Sequence, residues 1–559
     1  MTTITYGVIF AGVCLLTLSF FAMAQSKPSS EIQIFTNGTI YIDTERKAEN
    51  IVVKDGKVHA WNVDPAMFKD ATVVDLGDGT AYPGFNDSHV HLVEAGLGFS
   101  GADLQGCTSS EAIAKVVADL SRKLPEGAPM FGVGFSLEDY DAWSLEDLAK
   151  IDKATGSRPV ILVDQLGHNM IVNSASMAKC NVTKKTPVPM GGKIIFQHGK
   201  PTGMLRESAM TVAANTLVPL FSNDIIRKGA QKFFNHWASM GYTSIVDLMG
   251  APLGRILKPD LCKAMEKEGV LPLRVNYMYT FFSLDEIDNA LEYVGKDTDM
   301  VRFGGLKLFV DGAYAGGQAW TTWKNAKGDN GLYYVYTDDT YGKQYNINRI
   351  VEKVNDLGLN IHYHVQGDQA IEAVLDALDA AVKKKGYLTS THTLIHLAYP
   401  TEDQIARMKE FGGHVVATVQ PAFWKVEEDL SRYYGDREKS AYPIMKLMES
   451  GVSTGISTDF SVSPLELSAP TTIMGISMTG AGDPANHKPL GMKELIRGLT
   501  VGSAATTPKQ DTGMLDVGYK ADIVVYDKDL YSVSPDKLGK DNPKVMSTWI
   551  GGRKVYESP

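Results

Sequence analysis

Tyr82-Pro83-Gly84-Phe85-Asn86-Asp87-Ser88-His89-Val90-His91-Leu92 is the segment from which the architecture can be worked out. Side chains alternate along extended backbone, so His89 and His91 point the same way and can share one metal ion. A histidine pair at this spacing is a weak signal by itself. It gains force only if later strands also end on ligand residues. Downstream, apolar strand candidates at 81–91, 241–247, 273–279, 304–310, 360–365, 393–398, 414–420 and 452–459 alternate with amphipathic helices such as 111–123, 225–240, 346–357 and 369–384. Eight β-then-α units predict an α/β protein built on a (β/α)8 TIM barrel.

Around that barrel, expected over 81–508, the two chain ends share one texture. Short strands separated by Asn37-Gly38 and Asp55-Gly56 hairpin signals fill 25–80, and similar strands fill 509–559. Neither end has enough strands to bury a core alone, so a single small β-sandwich made from both termini is expected. The interval from about 100 to 230 is too long for one crossover and predicts an inserted subdomain after the first strand. Residues 1–24 carry no charge, and Ala22-Met23-Ala24 precedes Gln25. That pattern reads as a cleaved signal peptide, with a retained anchor as its rival, and predicts a periplasmic or secreted protein.

Composition narrows the function classes. The 559 residues suffice for one large domain plus a smaller one. A net charge of −10 argues against nucleic acid or an anionic membrane as the main partner. Once the signal is removed, Cys107, Cys180 and Cys262 are too few and too widely spaced for a disulfide framework, although one pair is compatible with the sequence, and no C-x-x-C motif offers a thiolate metal site. The expected partner is a small-molecule substrate, and a homo-oligomer is compatible with the chain.

Four of the candidate strands end on metal-ligand residue types, which in a barrel is the face that carries chemistry. His89 and His91 sit on the first, His364 ends 359–364, His396 ends 393–396 and Asp459 ends 455–459. Lys307 lies inside the apolar run Gly304-Gly305-Leu306-Lys307-Leu308-Phe309-Val310-Asp311. Burying a lysine is costly, so it is either salt-bridged to Asp311 or another barrel acid, or carbamylated by CO2. His362, His392 and His414 read as packing residues, with His362 sharing the face of His364. Trp320, Trp323, Tyr333, Tyr334, Phe423 and Trp424 are candidates for an apolar pocket wall.

These residues sit in longer motifs: Pro83-Gly84-Phe85-x-Asp87-Ser88-His89-Val90-His91, Pro201-Thr202-Gly203-Met204-Leu205-Arg206-Glu207, Lys307-Leu308-Phe309-Val310-Asp311-Gly312, His364-x-x-Gly367-Asp368-x-Ala370, Gln420-Pro421 and Gly518-x-Lys520-Ala521-Asp522-Ile523-Val524. With them the chain resembles the amidohydrolase superfamily, and more closely its YtcJ-like, N-substituted-formamide-deformylase-type branch, over nearly everything after residue 24. The resemblance implies two zinc ions, one held by His89 and His91 and the other by His364 and His396, with carbamylated Lys307 bridging and Asp459 completing the site. Ile395 stands where the family commonly has Glu, and Leu166 where an acidic residue precedes Gly167-His168. Those departures bear on the substrate and leave the ligand set intact.

The implied chemistry is attack of a metal-activated water on the carbonyl carbon of an amide-type C–N bond, with Asp459 as general base. His168 is expected to act as a second electrophile or substrate contact, joined in substrate binding by Trp320 and Gln420. Glu207 is read as ordering the inserted segment rather than reaching the site. A deaminase, an ester or lactone hydrolase, or a non-catalytic periplasmic binding protein on the same scaffold are the alternatives.

Overall fold

A computed structural model describes residues 32–165, 167–189, 191–248, 259–426, 431–483, 485–539 and 543–559. The signal segment expected over 1–24 lies outside them. Eight parallel strands form one sheet in chain order: β1 (Phe85–Val90), β2 (Tyr242–Asp247), β3 (Arg274–Phe281), β4 (Val301–Phe309), β5 (Ile361–Val365), β6 (His392–His396), β7 (Val415–Val419) and β8 (Ser453–Ile456). The sheet closes just beyond β8. The Asp459 N–H donates to the His89 carbonyl at 2.9 Å, and the His91 N–H donates to the Phe460 carbonyl at 2.7 Å. These strands are buried on both faces, which is why they read as unbroken apolar runs.

The strand expected over 81–91 is in fact two. Thr80–Pro83 pairs with Ile523–Tyr526 in a terminal sheet, and β1 starts only at Phe85. Gly84 makes the transition: a Cβ there would lie 2.2 Å from Thr243 Cγ2, so only glycine lets the two backbones approach. The terminal sheet runs Arg553–Glu557, Val545–Ile550, Ile523–Tyr526, Thr80–Pro83, Thr39–Tyr41, Lys47–Ala48. A four-stranded sheet from residues 33–75 faces it, and Phe35, Ile40, Val58, Ile523, Val525 and Trp549 form the core between them. Neither half could exclude water without the other.

Between β1 and β2 the chain builds a further mixed sheet of six strands, ordered Lys193–Gln197, Lys200–Arg206, Asn169–Val172, Val160–Asp164, Met130–Phe135, Ala102–Asp103. Helices Ser110–Ser121 and Leu145–Thr155 pack on it. The turn between its two middle strands, Val160–Asp164 and Asn169–Val172, meets the C-terminal mouth of the barrel, where Val163, Gly167 and His168 share a cavity with His89 and His364. Among the described residues no helix is long and apolar enough to cross a membrane, and Cys107, Cys180 and Cys262 are all free thiols.

Candidate metal centre

All six residues expected to hold metal converge at the barrel mouth. His89 Nε2 lies 3.0 Å from Asp459 Oδ1, His91 Nε2 lies 3.1 Å from the same oxygen, and the two imidazole nitrogens are 3.3 Å apart. Ligands about 2.1 Å from a tetrahedral zinc are separated by roughly 3.4 Å, so this triangle already has the size of a coordination shell. His89, His396 and Asp459 also present ligand atoms within 4.8 Å of one another. The ring of His396 is 4.5 Å from that of His364 and 5.3 Å from that of His89, centroid to centroid. His364 Nε2 is buried without a hydrogen-bond partner, an orphan that a cation would satisfy.

Lys307 reaches the same spot because β4 carries a bulge. Tyr277 pairs with Phe303 but Met278 pairs with Gly305, leaving Gly304 as an extra residue that resets which side chains face inward. The backbone of Gly305 has φ +131, and a Cβ on it would sit 2.2 Å from the Asn360 carbonyl oxygen. The resulting Lys307 is 1% exposed, and its Nζ has no hydrogen-bond partner among the described residues. Burial pushes its pKa down to about 7. Of the alternatives raised for Lys307, the salt bridge to Asp311 does not form. The Asp311 carboxylate instead accepts backbone N–H groups of Gln366 (2.9 Å), Gly367 (2.8 Å) and Trp320 (3.0 Å), pinning the loops after β4 and β5.

Two of the candidate ligands, His396 and Asp459, are held in place by further groups. His396 Nδ1 donates to Gln420 Oε1 at 2.9 Å, and Gln420 Nε2 donates to Ser457 Oγ at 2.8 Å, which leaves His396 Nε2 for a metal. Asp87, two residues before His89, accepts from Thr458 N (3.0 Å), Thr458 Oγ1 (2.7 Å) and Trp237 Nε1 (3.0 Å). It thereby locks the residue preceding Asp459 against β1. Burial alone would raise the Asp459 carboxyl, but the hydrogen bond from His91 and the charges of its neighbours hold it below the ordinary value. His396 and Asp459 both adopt left-handed backbone, with φ +75 and +54. Such strain persists in side-chain-bearing residues when the surroundings dictate it, commonly at functional sites. The other histidines are engaged elsewhere: His362 Nε2 donates to the Thr506 carbonyl at 2.9 Å, His392 shares a hydrogen bond with the Tyr363 hydroxyl, and His414 donates to the Ser390 carbonyl.

Comparison with known proteins agrees with this geometry. A family model described as "Amidohydrolase family" matches residues 72–556. The chain belongs to the amidohydrolase family. A Bacillus subtilis (strain 168) protein named "Putative amidohydrolase YtcJ" is 26% identical over 546 residues, covering 94% of this chain and 99% of that one. The N-substituted formamide deformylase of Arthrobacter pascens is 24% identical, over 91% of this chain and 95% of its own. Among solved structures, an uncharacterized metal-dependent hydrolase from Pyrococcus horikoshii OT3 superposes with a TM-score of 0.72 at 22% identity, over 90% of this chain and 99% of that one. At that identity the likeness speaks for the fold.

In this amidohydrolase a cavity opens over the cluster. Its walls include Phe309 at the end of β4 and Phe282, Tyr334 and Phe423 beyond the barrel strands, together with Val163, His168, Glu207, Met210 and Thr211 from the inserted segment. Tyr334 and Phe423 are thus the two of the six suggested aromatics that reach it. Trp320 does not: its ring stacks on Tyr333 at 4.7 Å, and its backbone N–H is spent on Asp311. Gln420 is fully buried behind His396 and does not line the cavity, so its place is that of a ligand's support rather than a substrate contact. Glu207 corrects the expectation in the other direction. It lines the cavity, accepts from His168 Nδ1 at 2.7 Å and from the Tyr334 hydroxyl at 2.8 Å, and lies below the ordinary glutamate pKa: burial would raise it, but the neighbouring His168 prevails. Glu94, one turn into the helix after His91, is a wall residue that the sequence reading missed. The His91-to-Glu94 spacing was the available signal, since residues three apart share a helix face.

Proposed function

We propose that this enzyme hydrolyses an amide-type, non-peptide C–N bond of a small molecule. Family membership and the likeness to the N-substituted formamide deformylase of Arthrobacter pascens support the bond type. The observation that carries the reading is the triangle of His89, His91 and Asp459 beside a buried lysine amine with no hydrogen-bond partner among the described residues. His89, His91 and Asp459 would hold one divalent ion, and His364 and His396 a second. The neutral Lys307 amine would add to CO2, release a proton and become a carbamate anion placed to bridge them. Zinc suits imidazole and carboxylate donors, and when bound it supplies a Lewis acid and lowers the pKa of a coordinated water to about 7.

The chain's own residues do the remainder. Asp459 takes a proton from the attacking water through a carboxylate oxygen and returns it to the departing nitrogen. His168 faces the substrate across the cavity from His364, their rings 5.9 Å apart. Phe282, Phe309 and Phe423 exclude bulk water from the reacting carbonyl and pack against its substituents.

Metal analysis of purified protein, with isotope-labelled CO2 followed by carbon NMR, tests the site. Two ions and a carbamate signal are expected, and one ion with a free lysine would overturn the binuclear form. A panel of N-substituted amides, set beside deaminase, ester and lactone substrates, tests the bond type. Zinc-loaded protein that cleaves nothing, with Asp459→Asn behaving identically, would instead establish the binding-protein reading. Export remains part of the proposal, checked by whether the mature protein from the cell envelope or medium begins at Gln25.

A further inference from the structure

We propose that Glu207 is a positioning residue that holds His168 so that its Nε2 is the polar atom the inserted sheet presents to the substrate; this rests on the hydrolase reading above. Strands Asn169–Val172 and Lys200–Arg206 are antiparallel, and Asn169 pairs with Arg206. The next residue on each strand, His168 and Glu207, therefore meets its partner at the ladder's end. The Glu207 N–H donates to the His168 carbonyl at 2.8 Å. Asp164 fixes the other side of the turn, accepting from His168 N at 2.9 Å and Asn169 N at 2.8 Å. With both backbones held, Glu207 Oε2 accepts a hydrogen bond from the His168 Nδ1–H at 2.7 Å. Nε2 is then the ring nitrogen left for the cavity that both residues line.

Two observations set this pair apart from an ordinary surface contact. Glu207 adopts φ +52, left-handed backbone that a side-chain-bearing residue enters at a cost of about 1–3 kcal/mol, and it is 8% exposed. The same carboxylate oxygen also accepts from the hydroxyl of Tyr334, which belongs to the loop after β4. That loop begins at Val310, and the Tyr334 N–H donates to the Val310 carbonyl, three residues from Lys307 in the chain. One carboxylate thus ties the inserted sheet to the barrel mouth and aims the imidazole. The insertion on this reading is one wall of the catalytic site, which is incomplete without it.

The test uses the zinc-loaded full chain and the fastest-cleaved amide of the panel, with Glu207→Ala, Glu207→Gln, His168→Ala and the Glu207→Ala/His168→Ala double variant. Glu207→Ala is expected to lower kcat by about 100-fold with KM within about threefold, leaving metal content and Tm near wild type. Glu207→Gln should recover at least about tenfold of that loss, because its amide oxygen still accepts from Nδ1, and the double variant should be no slower than His168→Ala. Multiplying effects of the two single variants, or a Glu207→Ala loss that follows metal content or Tm, would overturn the proposal. A readout independent of turnover separates this failure from failure of the hydrolase reading. The His168 Nδ1 proton should give a downfield NMR resonance that disappears in both Glu207→Ala and His168→Ala. Should it persist in Glu207→Ala, the positioning role is wrong whatever the substrate.

Discussion

A lysine amine without a hydrogen-bond partner among the described residues, four imidazoles and a carboxylate crowd one end of the barrel, and their mutual arrangement can be probed one side chain at a time. Lys307→Met keeps the volume of the buried side chain and removes its nitrogen. Metal analysis of that variant should show at least one ion lost, and hydrolysis should fall by more than about 100-fold. Gln420 offers a sharper case, because it touches His396 and Ser457 but not the cavity. Gln420→Leu should weaken metal affinity by about 10–100-fold, measured by competition with a chelator, and leave KM unchanged once metal is saturating. A changed KM at full metal loading would return Gln420 to the substrate. Of this site, His89, His91, Lys307, His364, His396 and Asp459 were legible in sequence because each stands at or near a strand end in a run that is otherwise apolar. The Gln420 and Glu207 roles were not, since the partner of each lies 24 or 39 residues away on another element.

Helix Leu145–Thr155, on the inserted sheet, shows how one element is stabilised by a few polar atoms. Ser144 and Asp147 form a capping box: the Asp147 N–H donates to Ser144 Oγ at 3.2 Å, and the Ser144 N–H donates back to Asp147 Oδ2 at 3.0 Å. Ser110, at the start of the neighbouring helix, donates to Asp147 Oδ1 at 2.6 Å and couples the two helices. Burial raises the Asp147 carboxyl, yet the hydrogen bonds from Ser110 and Ser144 prevail and hold it at about 2. Its folded pKa is depressed, so the stabilisation is complete above the unfolded value near ~4 and disappears as pH falls through about 2. Asp147→Ala should cost about 1 kcal/mol at neutral pH, seen as faster amide exchange over 145–155, and that difference should shrink between pH 4 and pH 2. The bulge at Gly304-Gly305 belongs to the same scale. A strand was readable there from sequence, but the extra residue that turns Lys307 inward depends on the register with β3.

Across the whole molecule, Arg274 of β3 connects the barrel to the terminal sandwich. Its guanidinium is 2% exposed and meets the Asp522 carboxylate twice, Nε to Oδ2 at 2.6 Å and Nη2 to Oδ1 at 2.9 Å, while the Gly551 N–H donates to the same carboxylate at 2.9 Å. Asp299 Oδ2 also meets the guanidinium, at Nη1 and 3.1 Å, so removing Asp522 strips this buried charge of its bidentate partner and leaves it one counter-ion of two. Asp522→Ala should therefore lower the thermal denaturation temperature and detach the C-terminal strands, made visible by limited proteolysis after residue 508. Asp522 stood out in sequence only as part of Gly518-x-Lys520-Ala521-Asp522, with nothing to name a partner 248 residues earlier.

Local pattern and spacing determined a great deal here. Period-two alternation placed His89 and His91 on one face, and the regular return of apolar strands and amphipathic helices specified an eight-unit barrel with ligands at its strand ends. These follow from chain geometry acting over a few residues, so they are written in the sequence itself. What the tertiary structure decided were the pairings between distant segments. Strand 81–91 is split at Gly84 because Thr243 of the next strand presses against it. Asp311 turns to backbone donors and leaves the Lys307 amine without a hydrogen bond among the described residues, Trp320 is drawn off to Tyr333, and Glu207 is carried from a presumed structural turn onto the wall of the cavity. Each outcome depends on which of several competing partners comes within about 3 Å, and only the packed chain sets that distance.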